Sequence, residues 1–218
     1  MIPGNEPGNI GEKGLALFRL GPANESLNFV RGDGVYLRPP EMRDYESWAG
    51  LRERSRAFLT PWEPTWPGDD LTRGAFRRRL RRHAQEIESD ESYPFMIFRE
   101  ADNVLVGGLT LGQIKRGVAQ AATLGYWMGM PYAGKGLMSR SVRAVTGFAF
   151  TVLRLHRIEA ACLPHNEASI KLLERIGFKR EGFARAYLRI SGVWQDHLLY
   201  ALLETDPLPL RVPRRDNS

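Results

Sequence analysis

Cysteine is nearly absent. The only one in 218 residues is Cys162, so no intrachain disulfide can form and the core must hold itself together by burial. Long apolar runs are missing as well. None approaches the roughly 20 residues that span a bilayer, which argues against an integral membrane protein. The N-terminus shows no charged stretch leading into an apolar one, the pattern of a secretory signal. A cytoplasmic protein is the plain expectation. Histidine is also sparse, four in all. His156 and His165 have no Cys or His partner at ligand spacing, so no metal site is expected.

Apolar residues make up 43% of the chain, enough for the core of one domain. Basic residues outnumber acidic ones, 31 to 25, for a net charge of +6. That balance suits a ligand or partner bearing phosphates. Residues 1–32 are rich in Gly, Pro and Asn and read as an extended arm whose apolar patch "LALFRL" has no evident partner nearby. The tail 206–218 is rich in Pro and Arg and is expected outside the core. Residues 33–205 remain as the folded domain.

Within the domain, "GVYLRPP" (34–40) reads as a first strand. "EMRDYESWAGLRERSRAFL" follows at helical spacing, and the turn-rich "TPWEPTWPGDD" interrupts it. A second helix is predicted from about Leu71, with Phe76, Leu80, Ala84 and Ile87 on one face and Arg77, Arg78, Arg81 and Arg82 mainly on the others. The period then changes to that of strands in "YPFMIFRE", "VLVGGLTLGQI" and "AATLGYWMG", the first two joined by a short turn. A helix ("MSRSVRAVTGFAFTVL"), a strand ("HRIEAACL"), a helix ("NEASIKLLERIG") and a last strand region ("WQDHLLYALLE") complete the order. Two early and two late helices around a mainly antiparallel run imply one α/β domain with helices packed on a mixed sheet.

Two motifs carry chemistry. In "GYWMGMPYAGKGLM" (125–138), the stretch from Gly129 to Lys135 has the spacing of a nucleotide-binding P-loop. Gly136 then stands where a metal-holding Ser or Thr belongs. The loop leads from a strand into a helix, so the N–H groups of residues 134–138 point from a helix N-terminus and favour a phosphate or pyrophosphate. Gly134 and Gly136 remove Cβ atoms that would block close approach, and Lys135 adds charge. A plain glycine turn would account for the same residues. The second motif is "PHNEASIKLLERIGF" (164–178), a helix N-capped by Asn166 and stopped by Gly177. Alone it is a well-capped helix and no more.

The order of a Gly-x-Gly loop, a strand, an N-x-x-S helix and Gly-Phe resembles the GNAT superfamily of N-acetyltransferases. Its loop pattern, Gln or Arg followed by x-x-G-x-G/A, falls on Pro131 to Gly136, with Pro131 in place of the Gln or Arg. The segments "FLTPWEP", "GKGLM", "HRI" with "PHN", "EGFARAYL" and "GVWQDHLLYAL" resemble its RimJ and RimL group, which acetylates the N-termini of ribosomal proteins. The resemblance covers about residues 34–204. It implies the GNAT fold: a mostly antiparallel sheet with helices on both faces and a V-shaped splay between two central parallel strands.

It also implies acetyl-coenzyme A as co-substrate, without a metal. Gly134, Lys135, Gly136, Leu137 and Met138 would hold the pyrophosphate. The backbone of Met128 and Met130 would pair with the pantetheine arm, which Asn166 would also reach. Ser169 would face the sulfur. Many members supply a proton from a Tyr seven residues after the Asn; that position is Leu173 here, so Ser169 or a bound water would serve, or the thiolate would leave unprotonated. Glu63 and Glu159 are the carboxylates to test as general base. Trp62 and Trp66 would wall the peptide entrance, with Tyr187 and Trp194 opposite, although Trp194 is expected in the core. The expected acceptor is a protein N-terminus, that of a ribosomal protein above all, and the basic helix 73–83 would meet ribosomal RNA. Monomer and homodimer both stay open. Two alternatives also stay open: acetylation of a small amine, and a ribosome-binding assembly factor with secondary catalysis.

Overall fold

Alternation along a strand lets one sheet serve two cores. The computed structural model describes residues 29–207. In its third strand, β3 (Tyr93–Arg99), Phe95 and Ile97 enter one apolar cluster while Met96 and Phe98 enter another, as a side-chain period of two requires. The other strands are β1 (Val30–Arg31), β2 (Val35–Arg38), β4 (Val104–Lys115), β5 (Ala121–Met128), β6 (Arg157–Cys162), β7 (Lys179–Ile190) and β8 (Val193–Leu203). They form one sheet in the order β1-β2-β3-β4-β5-β6-β8-β7. Every neighbouring pair is antiparallel except β5 and β6. The expected mixed α/β architecture is the one observed.

Five helices cover the two faces. On one lie α1 (Tyr45–Arg54), α2 (Arg56–Leu59) and α3 (Arg73–Glu88), where Trp48, Leu51 and Phe76 pack against Met96, Phe98 and Leu105. On the other lie α4 (Leu137–Thr151) and α5 (Glu167–Ile176), whose Val142, Val145, Leu173 and Ile176 join the larger core. The helix expected through residue 59 breaks at Ser55, which leaves helical geometry at ψ 6°. Its hydroxyl turns instead to accept the Met130 N–H at 2.9 Å. Thr72 caps α3 by accepting the Ala75 N–H, and Gly177 ends α5 with φ 109°.

The sheet starts earlier than the sequence suggested. Val30 and Arg31 pair with Leu37 and Tyr36, inside the stretch expected to be an arm. At the other end Asp206 accepts the Leu203 N–H, so the ordered structure runs slightly past residue 205. The rest of the expected arm and tail, residues 1–28 and 208–218, lies outside the described residues. Among the described residues no helix is long and apolar enough to cross a membrane.

Candidate active site

The parallel pairing of β5 and β6 holds only from Ala121 opposite Arg157 to Thr123 opposite Glu159. Beyond it the two strands part, which is the expected splay. The β4 register decides what β5 shows to the gap. Gly107 lies opposite Met128, and the Gly129 N–H donates to the Val106 carbonyl at 2.8 Å. That marks Met128 as a non-hydrogen-bonded position of the antiparallel ladder, as is Tyr126 two residues earlier. The N–H and C=O of both residues therefore point away from β4, into the space β6 has left. Met130 differs from expectation here. Its N–H is taken by Ser55, and its carbonyl accepts from Ala133, so its backbone is satisfied inside the protein.

The glycine loop lies at the end of this strand. Gly134 and Gly136 sit at φ 73° and 72°, the left-handed region where a side chain is strained. Nothing comes within 4 Å of a Cβ built on Gly134. Gly136 is the N-cap of α4 and supplies no side-chain cap. The amides of Leu137 and Met138 are thus left for a ligand. An open, glycine-floored helix start with exposed Lys135 beside it fits a diphosphate.

Asn166 caps α5 by accepting the Ser169 N–H at 3.1 Å. Ser169 in turn shares a 2.5 Å hydrogen bond with the Tyr126 hydroxyl. Burial holds the Tyr126 hydroxyl above its ordinary pKa, the Ser169 hydrogen bond opposing. Burial also pushes the nearby Cys162 thiol up to about 11, again with Ser169 acting in the opposite sense. All three groups stay protonated near neutrality. Leu173 is fully buried in the core. In the sequence Tyr126 reads as one more apolar residue of a strand, so nothing there marks it as a site residue beyond its alternation with Leu124 and Met128.

The two candidate carboxylates have engagements elsewhere. Glu63 makes a bidentate pair with Arg52 at 2.8 and 2.7 Å and accepts the Trp66 indole N–H at 2.7 Å. The Arg52 guanidinium lies between the rings of Trp66 and Trp127, 4.0 and 5.0 Å from their centroids. Glu159 pairs with Arg157, which also binds Glu181. Glu159 sits at the closed end of the splay, five residues of strand from the Met128 level, or roughly 16 Å at a strand's rise. It is not brought together with the other groups.

The entrance loop is. Trp62 packs against His165, next in sequence to Asn166, with ring centres 5.5 Å apart and the planes tilted by 40°. The Glu63 carbonyl accepts the Ser191 N–H from the β7–β8 turn at 2.9 Å. Tyr187 and Trp194 on that hairpin are 48% and 63% exposed. Trp194 is therefore not a core residue. Its side chain stands largely in solvent, as does that of Val193 beside it.

Beneath Trp127, a cavity of about 200 Å³ is lined by Trp48, Arg52, Glu63, Arg79, His83 and Thr110 among others. Gly107 and Gly108 were not expected to matter to the site, although two glycines inside a strand mark close approach. A Cβ on Gly108 would lie 2.4 Å from the Trp127 indole nitrogen. Among the described residues no group of three or more His, Cys, Asp or Glu could hold a metal ion.

Comparison with known proteins agrees with this geometry. The family model described as "Acetyltransferase (GNAT) domain" matches residues 35–179. The chain belongs to the GNAT family of acetyltransferases. It is 40% identical over 177 residues to the probable N-acetyltransferase YjcK of Bacillus subtilis, covering 81% of this chain and 98% of that one. It is 33% identical over 172 residues to the Escherichia coli [ribosomal protein uS5]-alanine N-acetyltransferase, covering 78% and 89%. Mycobacterium smegmatis RimJ, solved in complex with a coenzyme A disulfide, superimposes with a TM-score of 0.76 at 32% identity over 81% of this chain and 86% of that one. This GNAT chain is thus an acetyl-coenzyme A-dependent N-acetyltransferase of the RimJ type.

Proposed function

We propose that this GNAT enzyme acetylates the α-amine of a protein N-terminus, a ribosomal protein being the leading candidate. The observation that carries the reading is the juxtaposition at the open end of the splay. The free backbone edge of Tyr126 and Met128 opens on the gap between β5 and β6, the Tyr126 hydroxyl meets that of Ser169, and the aromatic loop carrying Trp62 reaches over to His165. The similarity to the uS5-alanine enzyme supports the same acceptor class.

When bound, acetyl-coenzyme A supplies an acyl thioester activated toward amines. The amides of residues 134–138, with Lys135, would hold its diphosphate. The Met128 N–H would donate to the acyl oxygen, and Asn166 would touch the pantetheine arm. Tyr126 and Ser169 would offer hydroxyl hydrogens at the sulfur. With the tyrosine hydroxyl held above its ordinary value and a thiol near 8.5, these groups donate hydrogen bonds rather than surrender a proton. An α-amine with a pKa near 8 is about a tenth neutral at pH 7, so a water chain suffices as base. That leaves Glu63 to position Arg52 and the tryptophans.

Trp62, Trp66 and Tyr187 would line the acceptor's path. Arg77 and Arg81 are exposed on α3, whereas Arg78, Arg79 and Arg82 carry ion pairs to Asp69, Asp70 and Glu86. Any contact of this helix with ribosomal RNA therefore rests first on Arg77 and Arg81. The reading is tested by thiol release from acetyl-coenzyme A with peptides bearing free Ala, Ser or Met N-termini, against N-blocked peptides with an internal lysine. Turnover confined to free N-termini supports it. Turnover with small amines alone overturns it.

A further inference from the structure

The sequence pattern of the glycine loop lacks its usual Gln or Arg, Pro131 standing there, and the structure brings a cation from α4 to the other end of the loop, at Gly136. Arg140 lies one turn into α4, four residues after the N-cap Gly136. Side chains on a helix lean toward its N-terminus, and this one folds back over the loop. Its Nη2 comes within 4.0 Å of a Cβ built on Gly136, and its Nη1 within 3.3 Å of one built on Gly34. Both glycines sit in the left-handed region, at φ 72° and 68°, and neither has a side chain to displace the guanidinium. The β1–β2 turn fixes the pose: the Asp33 carbonyl accepts the Nη1 hydrogen at 3.3 Å.

Arg140 makes no ion pair with a carboxylate among the described residues. Twelve other arginines of the described residues pair with a carboxylate: Arg31, Arg38, Arg43, Arg52, Arg56, Arg73, Arg78, Arg79, Arg82, Arg99, Arg116 and Arg157. Arg140 is half-buried, and its side chain's only hydrogen bond among the described residues is to a carbonyl. It stands at a helix N-terminus, where the dipole already carries partial positive charge and disfavours a cation. Lys135 adds a second positive charge in the same loop. The Arg140 guanidinium and the helix N-terminus thus both present positive charge at the loop, an arrangement that a phosphate group satisfies.

We propose that Arg140 is a phosphate ligand for coenzyme A in this chain, taking over the contact that Pro131 cannot make. The inference rests on the cofactor seating described above. It brings the β1–β2 turn, through the Asp33 carbonyl, into the cofactor site.

The test uses the full chain, with Arg140→Gln and Arg140→Lys. Binding of coenzyme A, dephospho-coenzyme A and pantetheine is measured by calorimetry, and kcat/KM is measured with acetyl-coenzyme A and with acetyl-pantetheine, which has no phosphodiester. Arg140→Gln is expected to raise the Kd for coenzyme A about tenfold, the scale of one lost charge-assisted contact. Arg140→Lys should recover part of the loss, and kcat/KM with acetyl-pantetheine should stay at the wild-type value. A penalty kept with dephospho-coenzyme A assigns the contact to the diphosphate; a penalty lost there assigns it to the 3′-phosphate. An unchanged Kd for coenzyme A overturns the proposal. So does an equal loss with acetyl-pantetheine, which would make Arg140 a prop for the loop. If the wild-type chain bound no coenzyme A, the cofactor seating itself would fall, and this inference with it.

Discussion

Tyr126 on β5 and Ser169 on α5 join hydroxyls at 2.5 Å beyond the point where β5 and β6 separate. Leu173 stands where many family members carry a tyrosine, and a hydroxyl pair built from β5 and α5 lies instead at the open end of the splay. Such a pair acts as a unit, because each hydroxyl orients the other's hydrogen. Tyr126→Phe and Ser169→Ala should each lower kcat by roughly ten- to a hundredfold, with KM for acetyl-coenzyme A little changed. The double variant should lose hardly more than either single one. Independent, multiplicative losses would show that the two hydroxyls act separately.

Glu63 and Arg52 invite a similar separation of roles. Their side chains are 19% and 7% exposed, and removing one partner leaves the other's charge buried, at a cost of about 3 kcal/mol or more. Glu63→Ala should therefore lower Tm by about 10 °C, at 2–4 °C per kcal/mol for a chain this size. Glu63→Gln keeps an acceptor for the arginine and should retain the wild-type shape of the kcat/KM pH profile. A Glu63→Gln enzyme of normal Tm whose alkaline-rising limb had vanished would make Glu63 the general base after all.

Much of this was legible in the sequence. The strand and helix order follows from periodicity, and the loop's glycines and the Asn166 cap follow from local backbone chemistry. What escaped were relations between distant segments. Arg52 looks like any helical arginine until Glu63, Trp66 and Trp127 surround it. Trp194 reads as core by composition, yet on the β7–β8 hairpin its side chain is largely exposed. Arg140 shares its helix with residues that do pack, and only the β1–β2 turn folding against α4 shows where its guanidinium goes. Local rules reach a few residues; these contacts span tens.

The glycine loop allows a comparison within one position. Gly134→Ala meets no atom within 4 Å but is strained at φ 73°, costing about 1 kcal/mol. Its Tm should fall by only a few degrees, with coenzyme A still bound. Gly134→Glu carries the same strain and places a carboxylate where a diphosphate would lie, so coenzyme A binding by calorimetry should be lost while the fold persists. Binding that survived the glutamate would move the diphosphate away from this loop.

His83 gives the fold a dependence on acid. It lines the cavity beneath Trp127, its Nδ1 has no hydrogen-bond partner among the described residues, and burial, then the charges of Arg82 and Arg79, push its pKa down to about 4. An unfolded histidine titrates near 6.5. Between those two values the unfolded chain holds a proton that the folded chain refuses, so stability rises with pH across the window. The contribution is complete above pH 6.5 and is lost progressively as pH falls toward 4, by about 2–3 kcal/mol in all. His83→Gln removes the titration and keeps a polar side chain of similar reach. Denaturant unfolding at pH 7.5, 6, 5 and 4.5 should show wild type losing stability faster than His83→Gln, the two curves converging toward a constant difference only above pH 6.5. Parallel curves throughout would mean that His83 titrates normally and that the cavity gives it access to water.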